Sequence, residues 1–369
     1  MSTDRAGVRL RRGRVRRVLG ERPGVLELEV DVEGGRASAL AYTDLVGPVV
    51  EGDGVLLNTT AVSLGLGTGG IHFVVAVEGA AERDAPPGAR TMKARYTPLQ
   101  VAVASVEETH RDAIEGSPGL RGTPVVCAPL HSMIAPIAAG ARAAGARRIV
   151  YVMTDGAALP GPLSRLVPVL REASLLDGWV TSGQAFGGEL EAVTVWTGLL
   201  AAIEVLAADV VVVSDGPGNL GSETTWGVSA LGSGHALDAA EALGGRPVAA
   251  LRISFADPRP RHRGVSHHSL TILERVATCR ANVVVPVLEG VERETVWDAL
   301  RARKIEERHQ LVEGDGRPGL DELVRSGVRA ESMGRTPADD PAFFLAAGAA
   351  GVVAGRMAAG SRAWRRERA

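Results

Sequence analysis

The chain has 369 residues, 45% of them hydrophobic, and a formal net charge of -2. That length exceeds one ordinary core and suits two domains. The near-neutral charge argues against a general nucleic-acid binder. The absence of any Gly-Lys-Ser/Thr excludes a classical phosphate-binding loop.

Only Lys93 and Lys304 among the 41 basic residues are lysines, so a Schiff-base mechanism would have to use one of the two. Cys127 and Cys279 are the only cysteines and have no metal-type spacing. They read as buried thiols of a reducing cytoplasm. The arginine-rich N-terminus is not followed by the apolar run of a signal peptide. Phe343 to Val353 is too short to span a membrane and reads as a buried C-terminal helix. A cytoplasmic protein without a membrane partner is expected.

Residues 1–80 read as a small β-barrel. Val8 to Val18, Val25 to Val32, Arg36 to Tyr42, Gly54 to Asn58 and His72 to Val77 are short valine- and leucine-rich runs between turn residues. Gly65, Gly67, Gly69 and Gly70 form a loop able to adopt positive φ, either an anion cradle or a barrel corner. The arginines from Arg9 to Arg17 suggest RNA, but only Tyr42 and Phe73 are aromatic in the first 80 residues. A solvated strand face is the preferred reading, with RNA binding the weaker one. Residues 81–94 read as a linker and 95–369 as an α/β domain.

From Thr123 onward, strands and helices alternate. Strands are expected at Pro124 to Ala128, Arg148 to Met153, Trp179 to Ser182, Asp209 to Ser214, Pro247 to Phe255 and Asn282 to Leu288. Weaker signals lie at Arg308 to Val312 and Val328 to Ser332. Leu163, Leu166, Val167 and Leu170 have helical spacing, and Glu189 to Ala207 reads as one long helix. This alternation predicts a doubly wound, mostly parallel sheet, a Rossmann-like sandwich.

Such a sheet binds ligands outside the carboxyl ends of its strands. There the chain places His131 and Ser132, then Asp155, then the loop from Gly183 to Glu189. Asp215 to Thr225 and Asp257 to Ser269 follow. Ser132 is placed to cap a helix. Gly216, Gly218 and Gly221 match a dinucleotide fingerprint after a strand, so their amides are candidates to hold an anion. Asp215, Asp257, His262, His267 and His268 are the candidate reactive groups, suited to acid–base work. His131, Asp155, Arg263 and Thr224 are candidate substrate contacts. A divalent metal is a candidate cofactor, with Asp215, Asp257, His262 and His267 its candidate ligands. His267 and His268 are neighbours that point in different directions, so both serve one ion only if a turn brings them round. Arg252, Arg259, Arg261 and Arg263 add reach for a carboxylate or phosphate. His235 reads as an ordinary helix residue.

Several stretches resemble a bacterial family, found in actinobacteria and Firmicutes, that is known only as a domain of unknown function. They are Leu57 to Val62, Leu64 to Gly70, Lys93 to Pro98 and Arg261-His262-Arg263-Gly264-Val265-Ser266-His267-His268. The resemblance spans most of the chain and implies no activity. The residues themselves point to hydrolysis or group transfer on a small anionic, for example phosphorylated, molecule. The alternative is a binding or regulatory protein without turnover.

Overall fold

The computed structural model describes residues 7–66 and 69–367; Gly67 of the glycine-rich loop lies outside them. The chain forms two compact units, Met1–Ala104 and Ser105–Ala369.

The first unit holds a closed barrel of β1 (Leu10–Arg22), β2 (Val25–Val32), β3 (Gly35–Tyr42), β4 (Gly54–Asn58) and β5 (Ile71–Val77). The strands follow the order β1-β2-β3-β5-β4, and β4 pairs back onto β1. Every pairing is antiparallel except β3 with β5. Alternation along the strands sends Val15, Leu28, Val30, Val55 and Leu57 into the core. Burying each such side chain contributes roughly 1.5–3 kcal/mol. Register shifts after Val15 and Val18 let the long β1 serve both neighbours. Gly65, Gly69 and Gly70 do take positive φ. A short hairpin of β6 (Thr91–Lys93) and β7 (Val101–Val103) completes the unit.

The second unit is built on eight parallel strands. They are β8 (Pro124–Cys127), β9 (Ile149–Thr154), β10 (Gly178–Ser182), β11 (Leu190–Ala192), β12 (Val210–Asp215), β13 (Arg246–Ala250), β16 (Asn282–Pro286) and β17 (Gln310–Gly314). Their order is β11-β10-β9-β12-β8-β13-β16-β17. The two-stranded β14 (Ile253–Ser254) and β15 (Gly264–Val265) lie outside this sheet. Side chains alternate between two cores. Val125, Val150, Val152, Val211 and Val213 join one, and Val126, Tyr151, Met153, Val210 and Val212 the other. Helices cover both faces, as continuous apolar strands require.

One chain reversal positions the site. The helix after β8, Ile134–Ala143, packs on the Tyr151 face. The helix after β12, Gly232–Ala242, packs on the opposite face. Because β8 and β12 are neighbours, their loops part and leave a crevice at the carboxyl edge.

Two elements differ from the sequence reading. Glu189 to Ala207 is not one helix: β11 occupies Leu190–Ala192, and the helix begins only at Val195, behind the Thr194 cap. Strand β11 supplies the outer edge of the sheet beside β10. Val328 to Ser332 is not a strand but a loop along the crevice, with a single bridge from Ser332 to Arg335. The C-terminal helix is longer than expected, Pro341–Glu367. By length and composition it could cross a membrane, but it lies against Ile134–Ala143 as part of the core. A side chain on Gly140 or Gly351 would collide with the facing backbone, so glycine permits that close approach.

Candidate functional site

The crevice is a cleft of about 750 Å³. Its wall comes from five loops that follow or flank the sheet strands. Pro129 to Ser132 follow β8, Leu163 to Leu166 follow β9, and Pro217 to Ser222 follow β12. Arg252, Arg259, Arg261, His262 and His268 follow β13, and Arg329 to Met333 close the far side. The lining is apolar at Leu130, Leu163, Val169, Leu220 and Met333, and cationic at Arg165, Arg252, Arg259, Arg261 and Arg329. Glu331 is the one carboxylate among the lining residues.

Asp257 organises the arginines from behind the cleft. Its side chain is fully buried. Arg252 donates to it at 3.0 Å, and Arg259 donates through Nε at 2.9 Å and Nη2 at 2.8 Å. Arg335 stands 3.8 Å away. The hydrogen bonds from Arg259 hold this carboxyl far below the usual range, so it stays ionised. A carboxylate tied in this way is a poor general base and a poor metal ligand, unlike the roles expected of Asp257 from sequence. Its work is to aim Arg252 and Arg259.

Asp215 is also an anchor. Its carboxylate accepts from Thr154 Oγ1 at 2.6 Å, from the Gly156 amide at 3.2 Å and from Asn219 Nδ2 at 3.0 Å. Burial raises its pKa against these bonds. It ties the loop after β9 to the loop after β12 and does not itself line the cleft. Asp155 accepts from the Gln184 amide at 2.7 Å, fastening the next loop along.

His131 lines the cleft, with both ring nitrogens engaged. Nε2 lies 2.8 Å from Ser164 Oγ, and Nδ1 lies 3.2 Å from Tyr151 Oη and 3.3 Å from the Asp215 carbonyl. A neutral ring that donates from Nδ1 and accepts the Ser164 hydroxyl at Nε2 satisfies this set. Burial pushes its pKa down to about 4.

The three remaining histidines converge. Pro260–His262 forms a single 3-10 turn, β14 pairs with β15, and Ser266 then caps the one-turn helix His267–Thr271 by accepting from the His268 amide. That path folds the chain back within six residues. The ring centroids of His262 lie 5.2 Å from His267 and 5.0 Å from His268, and the latter two are 4.0 Å apart. One nitrogen from each ring falls within 4.8 Å of the others. A turn therefore does bring His267 and His268 side by side, next to His262. Burial, then nearby arginines, hold His262 down to about 3. Burial, then His267 and Arg252, hold His268 down to about 4, and burial followed by Arg261 lowers His267.

The glycine fingerprint does not build a dinucleotide site. Gly216 is packed against Met153 and the Ala158 carbonyl and does not line the cleft. Gly218, at φ 84°, and Gly221 do line it. No helix starts at Gly221. It bridges to Val228, and the Leu220 and Ser222 amides are already bonded to Ser229 Oγ and the Gly227 carbonyl. Thr224 sits in that excursion, bonded to Ser222, and Arg263 is exposed; neither lines the cleft. Ser132 bonds Ser332 Oγ at 2.9 Å across the cleft mouth instead of capping its helix.

Sequence reasoning missed Ser164, Arg165, Arg329, Glu331 and Met333. The first two sit at the start of a helix read only for its apolar spacing. Arg329 and Glu331 belong to the segment read as a strand, where polar residues alternating with small ones mimic strand periodicity, and Met333 directly follows it.

No curated protein and no solved structure matches the chain. A family model does match, over residues 38–351, a span that begins inside β3 and contains every residue lining the cleft. By that match the chain belongs to the family described as "Protein of unknown function (DUF3866)".

Proposed function

We propose that this is a cytoplasmic enzyme that binds a small anionic molecule, with phosphoryl or carboxylate groups and an apolar portion, and acts on it by hydrolysis or group transfer. One observation carries the reading: five arginines face one carboxylate in a cleft at the point where the sheet's winding reverses. Arg252 and Arg259 are already held by Asp257, so little side-chain entropy is lost when they receive an anion. Leu130, Leu163 and Val169 suit the apolar portion. His262 and His268 present imidazoles on the same wall.

A second reading, ligand binding without turnover, draws support from Asp215 and Asp257. Both of these carboxylates are engaged in structural bonds. Titration calorimetry of chelator-treated protein with inorganic phosphate, phenyl phosphate and benzoate tests the shared premise. Phenyl phosphate should bind more tightly than phosphate, through the apolar lining. Arg261→Ala should weaken it about tenfold, the value of one charge-assisted hydrogen bond. Arg261 pairs with the exposed Glu223, so this variant should fold. No binding of any of the three anions would reject the proposal. Phosphate or alcohol release from a panel of phosphoesters then separates turnover from binding.

A further inference from the structure

We propose that His262, His267 and His268 bind one divalent transition-metal ion, zinc fitting best, and that its remaining coordination position faces the arginine-lined cleft. The facing of that position rests on the anion-binding reading above; the metal site itself does not.

Two independent observations support the site. The first is convergence: three imidazole nitrogens lie within 4.8 Å of one another. Zinc–nitrogen bonds of about 2.0–2.1 Å place tetrahedral ligands about 3.3 Å apart, so the rings need to close by up to about 1.5 Å. The second is an unmet need. Nε2 of His267 and Nε2 of His268 are buried and have no hydrogen-bond partner among the described residues. Leaving a buried polar atom unpaired costs about 1–3 kcal/mol, and native structures rarely leave two side by side. A shared cation satisfies both lone pairs.

Ser266 provides the outer support that metal-bound histidines usually have. Its Oγ lies 2.9 Å from His262 Nδ1 and also accepts from the His268 amide. With Nδ1–H donating to Ser266, His262 offers Nε2 to the ion. One hydroxyl thus orients two of the three ligands.

The donor set selects the metal. A donor set of three nitrogens without a carboxylate suits zinc, nickel, copper or iron rather than magnesium or calcium, which prefer oxygen. Three protein ligands plus one open position is the pattern of a catalytic rather than a structural zinc site. Arg252, Arg259 and Arg261 repel a cation here, and Asp257 and Glu223 offset them only in part. An anion in the cleft relieves that repulsion, so metal and anion should strengthen each other's binding. A divalent ion at this point would offer Lewis-acid stabilisation to an anionic group held by the arginines.

The test is titration of the chelator-treated full chain with cobalt(II), followed by its visible absorption, with zinc as competitor. The expected result is one equivalent bound with the intense bands of tetrahedral cobalt, displaced by zinc. His262→Gln and His268→Gln, shown to be folded by circular dichroism, should weaken binding by more than about 100-fold, and Ser266→Ala by about 10–100-fold. His235→Ala, an exposed helix position, should change nothing. No stoichiometric cobalt in the parent, or full binding in both folded glutamine variants, overturns the site. Adding inorganic phosphate should shift the cobalt spectrum in the parent and not in Arg259→Ala/Arg261→Ala. Cobalt binding that ignores phosphate would keep the metal site and overturn its facing towards an anion cleft. Phosphate binding without cobalt binding would do the reverse.

Discussion

Strand β1 of the barrel and the segment from Arg252 to Arg263 are both dense in arginine, yet the fold treats them differently. On β1 Arg12, Arg14, Arg16 and Arg17 are exposed, and Arg12 and Arg16 meet nearby acids. Arg12 reaches Glu78 at 3.3 Å, and Arg16 reaches Glu29 at 3.2 Å, with most of the Arg12 side chain in solvent. In the second segment Arg252 is buried against a buried carboxylate, and its neighbours open onto a concave surface. A run dense in arginine therefore gives a solvated face in one unit and a directed field in the other. What separates them is topology. A barrel strand offers alternate residues to water, whereas the carboxyl end of a parallel strand delivers its loop into a crevice.

The largest test of this contrast is Asp257→Asn. Removing the carboxylate leaves Arg252 charged and buried without its partner. The loss should be about 3–5 kcal/mol, read as a lower urea midpoint at unchanged slope. Phosphate affinity should fall with it, because Arg252 and Arg259 lose their orientation. A loss below about 1 kcal/mol would mean that the buried pair is no firmer than the pairs on β1.

The comparison sharpens at His131, which shares the cleft with these arginines but is held neutral. Its folded pKa, about 4, lies below the unfolded value of 6.5. The unfolded chain therefore takes up this proton first as pH falls. His131 leaves stability unaffected above about pH 6.5 and lowers it progressively from there towards pH 4. Below that both states are protonated and the loss levels off. The loss is roughly 3 kcal/mol. His131→Gln should remove that share of the acid sensitivity, visible as a flatter curve of unfolding free energy between pH 6.5 and 4. An unchanged curve would show that the His131 ring is open to protonation in the native cleft.

Much of this arrangement was legible in the sequence, and the exceptions have identifiable causes. Continuous valine runs such as Val210 to Val213 announce a buried parallel strand. Once the sheet is parallel, the loops after β8, β12 and β13 are obliged to share an edge. His131 and His262 fall in those loops, and both line the cleft. The sequence did not reveal that Asp257 is saturated by arginine, because Arg335 arrives from far along the chain and Arg259 folds back locally. Nor did it settle His267 and His268. Helical geometry drives neighbours apart, and only the Ser266 cap and the one-turn helix bring both rings to His262. The wall from Arg329 to Met333 was hidden for a similar reason. Its residues gain meaning from a cleft assembled by other loops, while their own spacing resembles a strand.

The smallest expected effect lies on β1. Arg16→Ser removes an ion pair whose arginine side chain is 44% exposed. Water reaches both partners, and fixing two long side chains costs most of what the attraction returns. The change should stay within about 0.2–1 kcal/mol by urea unfolding and shrink further in high salt. Phosphate binding should be untouched. A loss above about 2 kcal/mol, or a fall in phosphate affinity, would show that the arginines of β1 are not a merely solvated face, and the contrast between the two regions would fail from the barrel's side.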